Sequence, residues 1–251
     1  MEKDEQFIKR IKELGRNAYE RDIVTFSEFL DLNEQNIVHG LALDHQGYHL
    51  EWSGGYEMSE RQMIAFLPDA LSYSWEFPIR CLFIQPKSLK YSEKLTHRDY
   101  LGALLNLGVL RAKVGDIVVN EDGSAYVFCQ DKIADFFLKE IYRIKHTNVV
   151  VSEVYDVENL ITHQEQEVTG TVVSVRLDSV IALAFQSSRS SMIPFIEGGK
   201  VFVNGKMIVS NGYMLKEEDI VSVRGKGKFR FAGITKKTKK DRYGVVLYRY
   251  V

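Results

Sequence analysis

An α+β protein of three modules is the fold class that this sequence predicts. Three observations carry that prediction. Apolar residues recur at helical spacing through much of the first 77 positions. From residue 79 onward, strand-like and helix-like patterns follow one another in the order β-α-β-β-α-β. The chain then closes on two short amphipathic helices followed by hairpin signals, and there its charge changes sign. The expected modules are a helical N-terminal domain (1–77), an α+β middle domain (78–160) and a small α+β C-terminal domain (168–251).

Composition sets the bounds. A hydrophobic content of 45% with 27% charged residues suits a chain that builds real cores, and only four prolines argue against a long disordered tract. No apolar run approaches the ~20 residues of a membrane span. The opening "MEKDEQFIKRIKELG" is too charged for a signal peptide. A cytoplasmic protein is expected, with Cys81 and Cys129 as buried thiols inside apolar strand-like runs.

In the first module, Phe7, Ile11, Leu14 and Ala18 form one apolar stripe on a charged helix. Thr25–Glu28 and Ser59–Gln62 both have capping-box spacing, so each is expected to open a further helix. The second of these would run through Met63–Leu67 and stop at Pro68. Between them "GYHLEWSGG" reads as a short strand ending in a turn at Gly54-Gly55.

The middle module reads as a strand ("IRCLFIQ"), a helix opening at Thr96, a hairpin turning at Asp122-Gly123, an amphipathic helix ("DKIADFFLKEIYRI") and a β-branched strand ("NVVVSEVY"). That order is the ferredoxin-like split βαβ arrangement, shared by RNA-recognition motifs. Such motifs stack bases on aromatics of their two central strands, and Phe83, Tyr126 and Phe128 occupy such strands. The same face could equally be core, which the acidity of this half favours. "HQEQE" (His163–Glu167) reads as a polar link or turn before the strand "VTGTVVSV".

The net charge of −1 hides a division. Residues 176–251 carry 15 Lys+Arg against 6 Asp+Glu, whereas residues 1–175 carry 18 against 28. Residues 224–242 hold nine basic residues against Asp241 alone, which focuses positive potential on one end of the chain. In this segment Leu177, Val180, Ile181 and Ala184 form one helical face, and Ser187 or Ser188 can cap a second helix. That places Arg189 at a helix N-terminus, where free N–H groups favour an anion. Gly198-Gly199 should end the helix, with Pro194 inside it at a cost of roughly 3 kcal/mol in a regular interior. Asn204-Gly205 is a strong hairpin signal, and "DIVSVRGKGKF" is a strand running into a basic turn.

The string "RLDSVIALAF…SRSSMIPFIEGGKVFVNGK…DIVSVRGKGKF" resembles the RNA-binding domain named after small-subunit ribosomal protein S-four. Together with the two preceding modules, the whole chain is similar to the YlmH family of bacterial proteins encoded near cell-division genes. The resemblance implies no cofactor, and RNA binding to rRNA or tRNA on a ribosomal subunit, with links to cell division and to rescue of stalled large subunits. It places RNA contact on Arg176, Ser188, Arg189, Lys200, Asn204, Lys206, Arg224, Lys226 and Lys228; Arg230 extends the same basic run. A monomer is expected, with the acidic half available to a protein partner.

Other readings are weaker. Pseudouridine synthases carry a similar Arg-Leu-Asp, which would make Asp178 catalytic, but they need a catalytic domain that does not follow here; a helix-start anion or cap fits better. The nucleotide-binding signatures of a tyrosyl-tRNA synthetase are missing from residues 1–175. His45 and His49 have zinc-like spacing without a second ligand pair, and "GGK" at 198–200 lacks the rest of a phosphate loop. A protein-interaction adaptor remains the competing non-catalytic class.

Overall fold

The computed structural model describes residues 2–41, 43, 47–57, 59–88, 90, 92–157, 165–238 and 241–250. The chain forms two compact units, Met1–Ile161 and Thr162–Val251. The boundary expected at residues 77/78 runs through the first of them.

Helix α1 (Glu2–Arg21) buries its predicted stripe. Ile11 and Ala18, with Phe7 and Leu14 beside them, pack on Leu30, Val38, Tyr48, Ile64 and Phe66. Three strands lie against it: β1 (Thr25–Phe26), β2 (Tyr48–Ser53) and β3 (Met63–Pro68), in the antiparallel order β1-β3-β2. Helix α2 (Leu32–His39) opens on a capping box, with the Asp31 carboxylate accepting from the Asn33 and Glu34 N–H groups while Glu34 accepts from the Asp31 N–H.

Both helices expected from capping spacing are therefore corrected. Thr25 begins strand β1 and its hydroxyl donates to the Leu14 carbonyl, while Glu28 receives Arg10, Lys113 and Gln130. The working box lies at Asp31–Glu34, six residues further on. Met63–Pro68 is a strand with every residue buried. An apolar run this short suits a doubly covered strand as well as a helix. Here Ile64 and Phe66 join the α1 cluster, and Met63 joins Phe29, Cys81 and Phe128 on the other side.

The rest of this unit follows the predicted order. Strand β4 (Ile79–Pro86) leads to helix α3 (His97–Asn106), whose cap is the Thr96–Asp99 box. Strands β5 (Val114–Val119) and β6 (Ala125–Gln130) form the hairpin, and helix α4 (Asp131–Glu140) precedes β7 (Arg143–Ile144) and β8 (Thr147–Val154). The antiparallel sheet order is β5-β6-β4-β8-β7, the ferredoxin-like arrangement with one extra edge strand. One sheet face packs Leu82, Ile84, Val127 and Cys129 against α3 and α4. The opposite face is covered at one end by the N-terminal residues: the Tyr56 ring stacks on Phe128 with centroids 4.7 Å apart. Gly55 makes this cover fit, since its φ is +93° and an added Cβ would lie 2.6 Å from Phe128. Burial pushes the Cys81 and Cys129 thiols up to about 12.

Asp116 pins the cover in place. Its carboxylate accepts the Tyr56 hydroxyl (2.9 Å) and the N–H groups of Glu60 (2.6 Å) and Arg61 (3.1 Å).

The second unit is a six-stranded antiparallel sheet with two helices on one face. Strand β9 (Glu165–Val172) begins inside the stretch expected to be a link; His163 and Gln164 lie outside the described residues. Helices α5 (Leu177–Ala184) and α6 (Arg189–Glu197) follow, then β10 (Val201–Val203), β11 (Lys206–Met207), β12 (Asp219–Val223), β13 (Gly227–Lys237) and β14 (Tyr243–Tyr250). The order is β11-β10-β12-β13-β14-β9. Val180, Ile181, Met192 and Ile196 of the helices meet Val201, Val221, Phe229 and Leu247 of the sheet. Helix α6 keeps Pro194 in its interior and ends at Gly198. Among the described residues no helix is long and apolar enough to cross a membrane.

Replacing Asp116 by alanine should destabilise the chain by about 2–3 kcal/mol, because three donors lose a charged acceptor. Tyr56→Phe should cost about 1 kcal/mol. Urea melts check both. An Asp116→Ala variant as stable as the parent would show that the cover is held by apolar packing alone.

Candidate nucleic-acid interface

Arg176 and Arg189 are thirteen positions apart in sequence; the fold brings them to one carboxylate. Arg176 is the residue before α5, and Asp178 lies in that helix's first turn. Ser188 caps α6 by accepting the Ser191 N–H (3.2 Å), which sets Arg189 at the first helical position. The two helices pack so that both guanidinium groups reach the same Asp178 oxygen, Arg189 at 2.5 Å and Arg176 at 3.3 Å. The Asp178 side chain is 1% exposed, whereas the Arg176 and Arg189 side chains are 41% and 54% exposed. The Ser179 hydroxyl donates to the other carboxylate oxygen.

The carboxylate is thus buried and the cations it holds face solvent. Burial raises the Asp178 carboxyl, but the hydrogen bond from Arg189 and the charges of Arg189 and Arg176 outweigh it, and the net shift is downward. As a first-turn acid it matches the helix-start anion expected from sequence. It is not a cap, since its oxygens are taken by side chains.

At the other end of α6, Phe195 organises a second group. Lys200 and Lys226 each lie over its ring at 5.6 Å, and the Arg224 N–H donates to the Lys200 carbonyl (2.9 Å). The Arg224 guanidinium covers the Phe202 ring at 5.0 Å, and Phe202, between the helix-facing Val201 and Val203, points to the opposite sheet face. Arg189 and Phe195 are six positions apart on α6, about 9 Å along its axis.

The remaining expected residues are distributed differently. Asn204 and Gly205 both have positive φ (47° and 77°), as a tight hairpin turn requires. The Asn204 amide donates to Asp219 (2.8 Å) and accepts the Ile220 N–H (2.9 Å), so it locks the turn. Lys206 pairs with Val203 and is exposed at the sheet edge. Lys228 and Arg230 flank the buried Phe229 and so point to the sheet face away from the helices. There one guanidinium nitrogen of Arg230 donates to both Glu218 carboxylate oxygens (3.0 and 2.9 Å), and the group lies over Tyr248 at 4.8 Å. Lys237 pairs with Asp241; Lys239 and Lys240 lie outside the described residues.

Two participants were missed. Phe195 reads as one more apolar residue of α6, and nothing in its spacing marks it as a cation platform. Arg249 lies over Phe185 at 5.4 Å on the helix side of the sheet. Its signal was available, because in "YGVVLYRY" it falls in phase with buried Val245 and Leu247. Among the described residues no His, Cys, Asp or Glu group is placed to hold a metal; His45 is outside them.

A helix pair on an antiparallel sheet, displaying arginines and lysines on the helix side, in one chain with a ferredoxin-like unit, defines a class of modular RNA-binding proteins. Two family profiles match: "Putative RNA-binding domain in YlmH" over residues 76–159 and "S4 domain" over residues 175–221. "Ribosome-associated protein quality control protein P2" of Bacillus subtilis (strain 168) is 32% identical over 254 residues, covering 98% of this chain and 96% of the relative. The chain belongs to the YlmH family. In fold it is similar to "Cell division protein ylmH from Streptococcus pneumoniae", with a TM-score of 0.50 at 24% identity over 61% of this chain and 92% of that one.

The Asp178 geometry predicts a pH-dependent penalty. In the parent a depressed carboxyl contributes stability above its unfolded value, near 3.9, and loses it as pH falls through the folded value. Replacing both Arg176 and Arg189 by alanine leaves burial opposed only by the Ser179 hydroxyl, which shifts the carboxyl upward. That variant should be less stable than the parent at pH 7 by about 1–3 kcal/mol, with the gap narrowing toward pH ~4. Urea melts at both pH values measure it; an equal gap at each would contradict the arrangement.

Proposed function

We propose that the chain binds structured RNA on a ribosomal subunit, rRNA or tRNA, through the helix side of its C-terminal unit. It acts by binding and not by catalysis. The observation that carries this reading is the buried Asp178 carboxylate that holds two exposed guanidinium groups in fixed positions. A structure built for stability alone gains little from exposed arginines on a buried acid. One built to present forks to phosphates gains their preorganisation. The relative described as a ribosome-associated quality control protein supports the ribosomal setting.

In this reading Arg176 and Arg189 use their outward N–H groups on phosphates while Asp178 keeps the inward ones. The free N–H groups at the start of α6 add to the same anion site. Lys200 and Lys226 hold a second stretch of backbone at the far end of the helix. Such contacts supply affinity and register and carry little base information.

With about five phosphates neutralised, the log–log salt slope for the full chain on rRNA should be roughly −3.5 to −4.5. Raising salt from about 50 to about 200 mM should then weaken binding on the order of 100- to 500-fold. Arg189→Lys keeps charge but loses the fork, and should weaken binding about 10- to 150-fold, more than Lys236→Ala. A flat salt response, or Arg189→Lys binding like the parent, would overturn the assignment.

A further inference from the structure

We propose that the uncovered end of the middle sheet, at Phe83 and Tyr126, stacks an unpaired base of single-stranded RNA. Phe83 of β4 and Tyr126 of β6 are direct cross-strand partners, with ring centroids 4.9 Å apart and planes tilted by 35°. Both are half-buried and point away from the α3–α4 core. The next aromatic along β6 on that face is Phe128, which is fully buried because the Tyr56 ring lies on it, 4.7 Å away and tilted by only 23°. The chain therefore places its own flat ring on one half of an aromatic row and leaves the other half open.

What surrounds the open half suits a base. Phe83 pairs with Ser152 of β8 and Tyr126 with Val118 of β5; Gln85 and Val150 form the next cross-strand pair. None of these side chains is charged, and Gln85 and Ser152 are exposed. Amide and hydroxyl groups can donate to and accept from base edges, while the rings take the base face. The side chains flanking the two rings carry no charge, so affinity at this point comes from stacking. Stacking needs an unpaired base, which points to single-stranded RNA and not to a helix. The family profile over residues 76–159, a putative RNA-binding domain, agrees with the occupant. Tyr56 makes the platform narrow, with room for one base where a fully open row would take two or three.

The test uses the full chain and a mixed-sequence single-stranded RNA octamer carrying 4-thiouridine. Photocrosslinking followed by peptide mapping should place an adduct on the peptide containing Phe83 or Tyr126. A Phe83→Leu/Tyr126→Leu variant, apolar so that the half-buried positions stay filled, should bind the octamer about 5- to 150-fold more weakly. Its binding to structured rRNA should stay unchanged, which separates this site from the C-terminal one. Adducts confined to the C-terminal unit, or an octamer bound equally by parent and variant, would overturn the proposal. The crosslink on the parent chain decides the matter if the variant does not fold.

Discussion

One buried carboxylate organises the basic end of this protein. Asp178 lies under the first turn of α5 and receives a guanidinium from each of two helices. Taking a carboxylate out of water is costly unless it is paired and hydrogen-bonded, so the acid constrains both arginines. It also ties the start of α5 to the start of α6, whose apolar side chains share one core cluster. The positive charge that distinguishes residues 176–251 thus becomes an arrangement with fixed distances instead of a cloud of mobile lysines.

Aromatic rings do the corresponding work elsewhere in the chain. In the C-terminal unit Phe195, Phe202 and Phe185 each lie beneath a cation, shortening the range of positions that Lys200, Lys226, Arg224 and Arg249 sample. In the first unit, Tyr56 lies on Phe128, and Asp116 holds Tyr56 there. This explains how an acidic half can carry an RNA-recognition-like sheet without a basic surface. The sheet is used partly as core, and only its far end is open.

Most of the fold was legible. The β-α-β-β-α-β order, the Asp122-Gly123 and Asn204-Gly205 turns, and both short C-terminal helices follow from periodicity and turn chemistry. Met63–Pro68 was misread because an apolar run with no polar alternation carries no period, and only its neighbours on both faces make it a strand. The capping spacing at Thr25–Glu28 failed because Glu28 finds cations remote in sequence, Arg10 and Lys113. The geometry of the candidate site was not legible in the sequence. That Arg230 faces Glu218 and that Asn204 locks its own turn depend on strand register, which sequence spacing alone does not set.

The central claim is that Asp178 positions Arg189 for RNA, and a double-mutant cycle on RNA affinity tests it most directly. Asp178→Asn, Arg189→Ala and the double variant would each be titrated against the same rRNA at a temperature below all their melting transitions. The account predicts strong coupling, on the order of 1–3 kcal/mol, because Arg189 loses its register once the carboxylate is neutral. Effects that add to within about 0.5 kcal/mol would show the two residues acting independently and would contradict it.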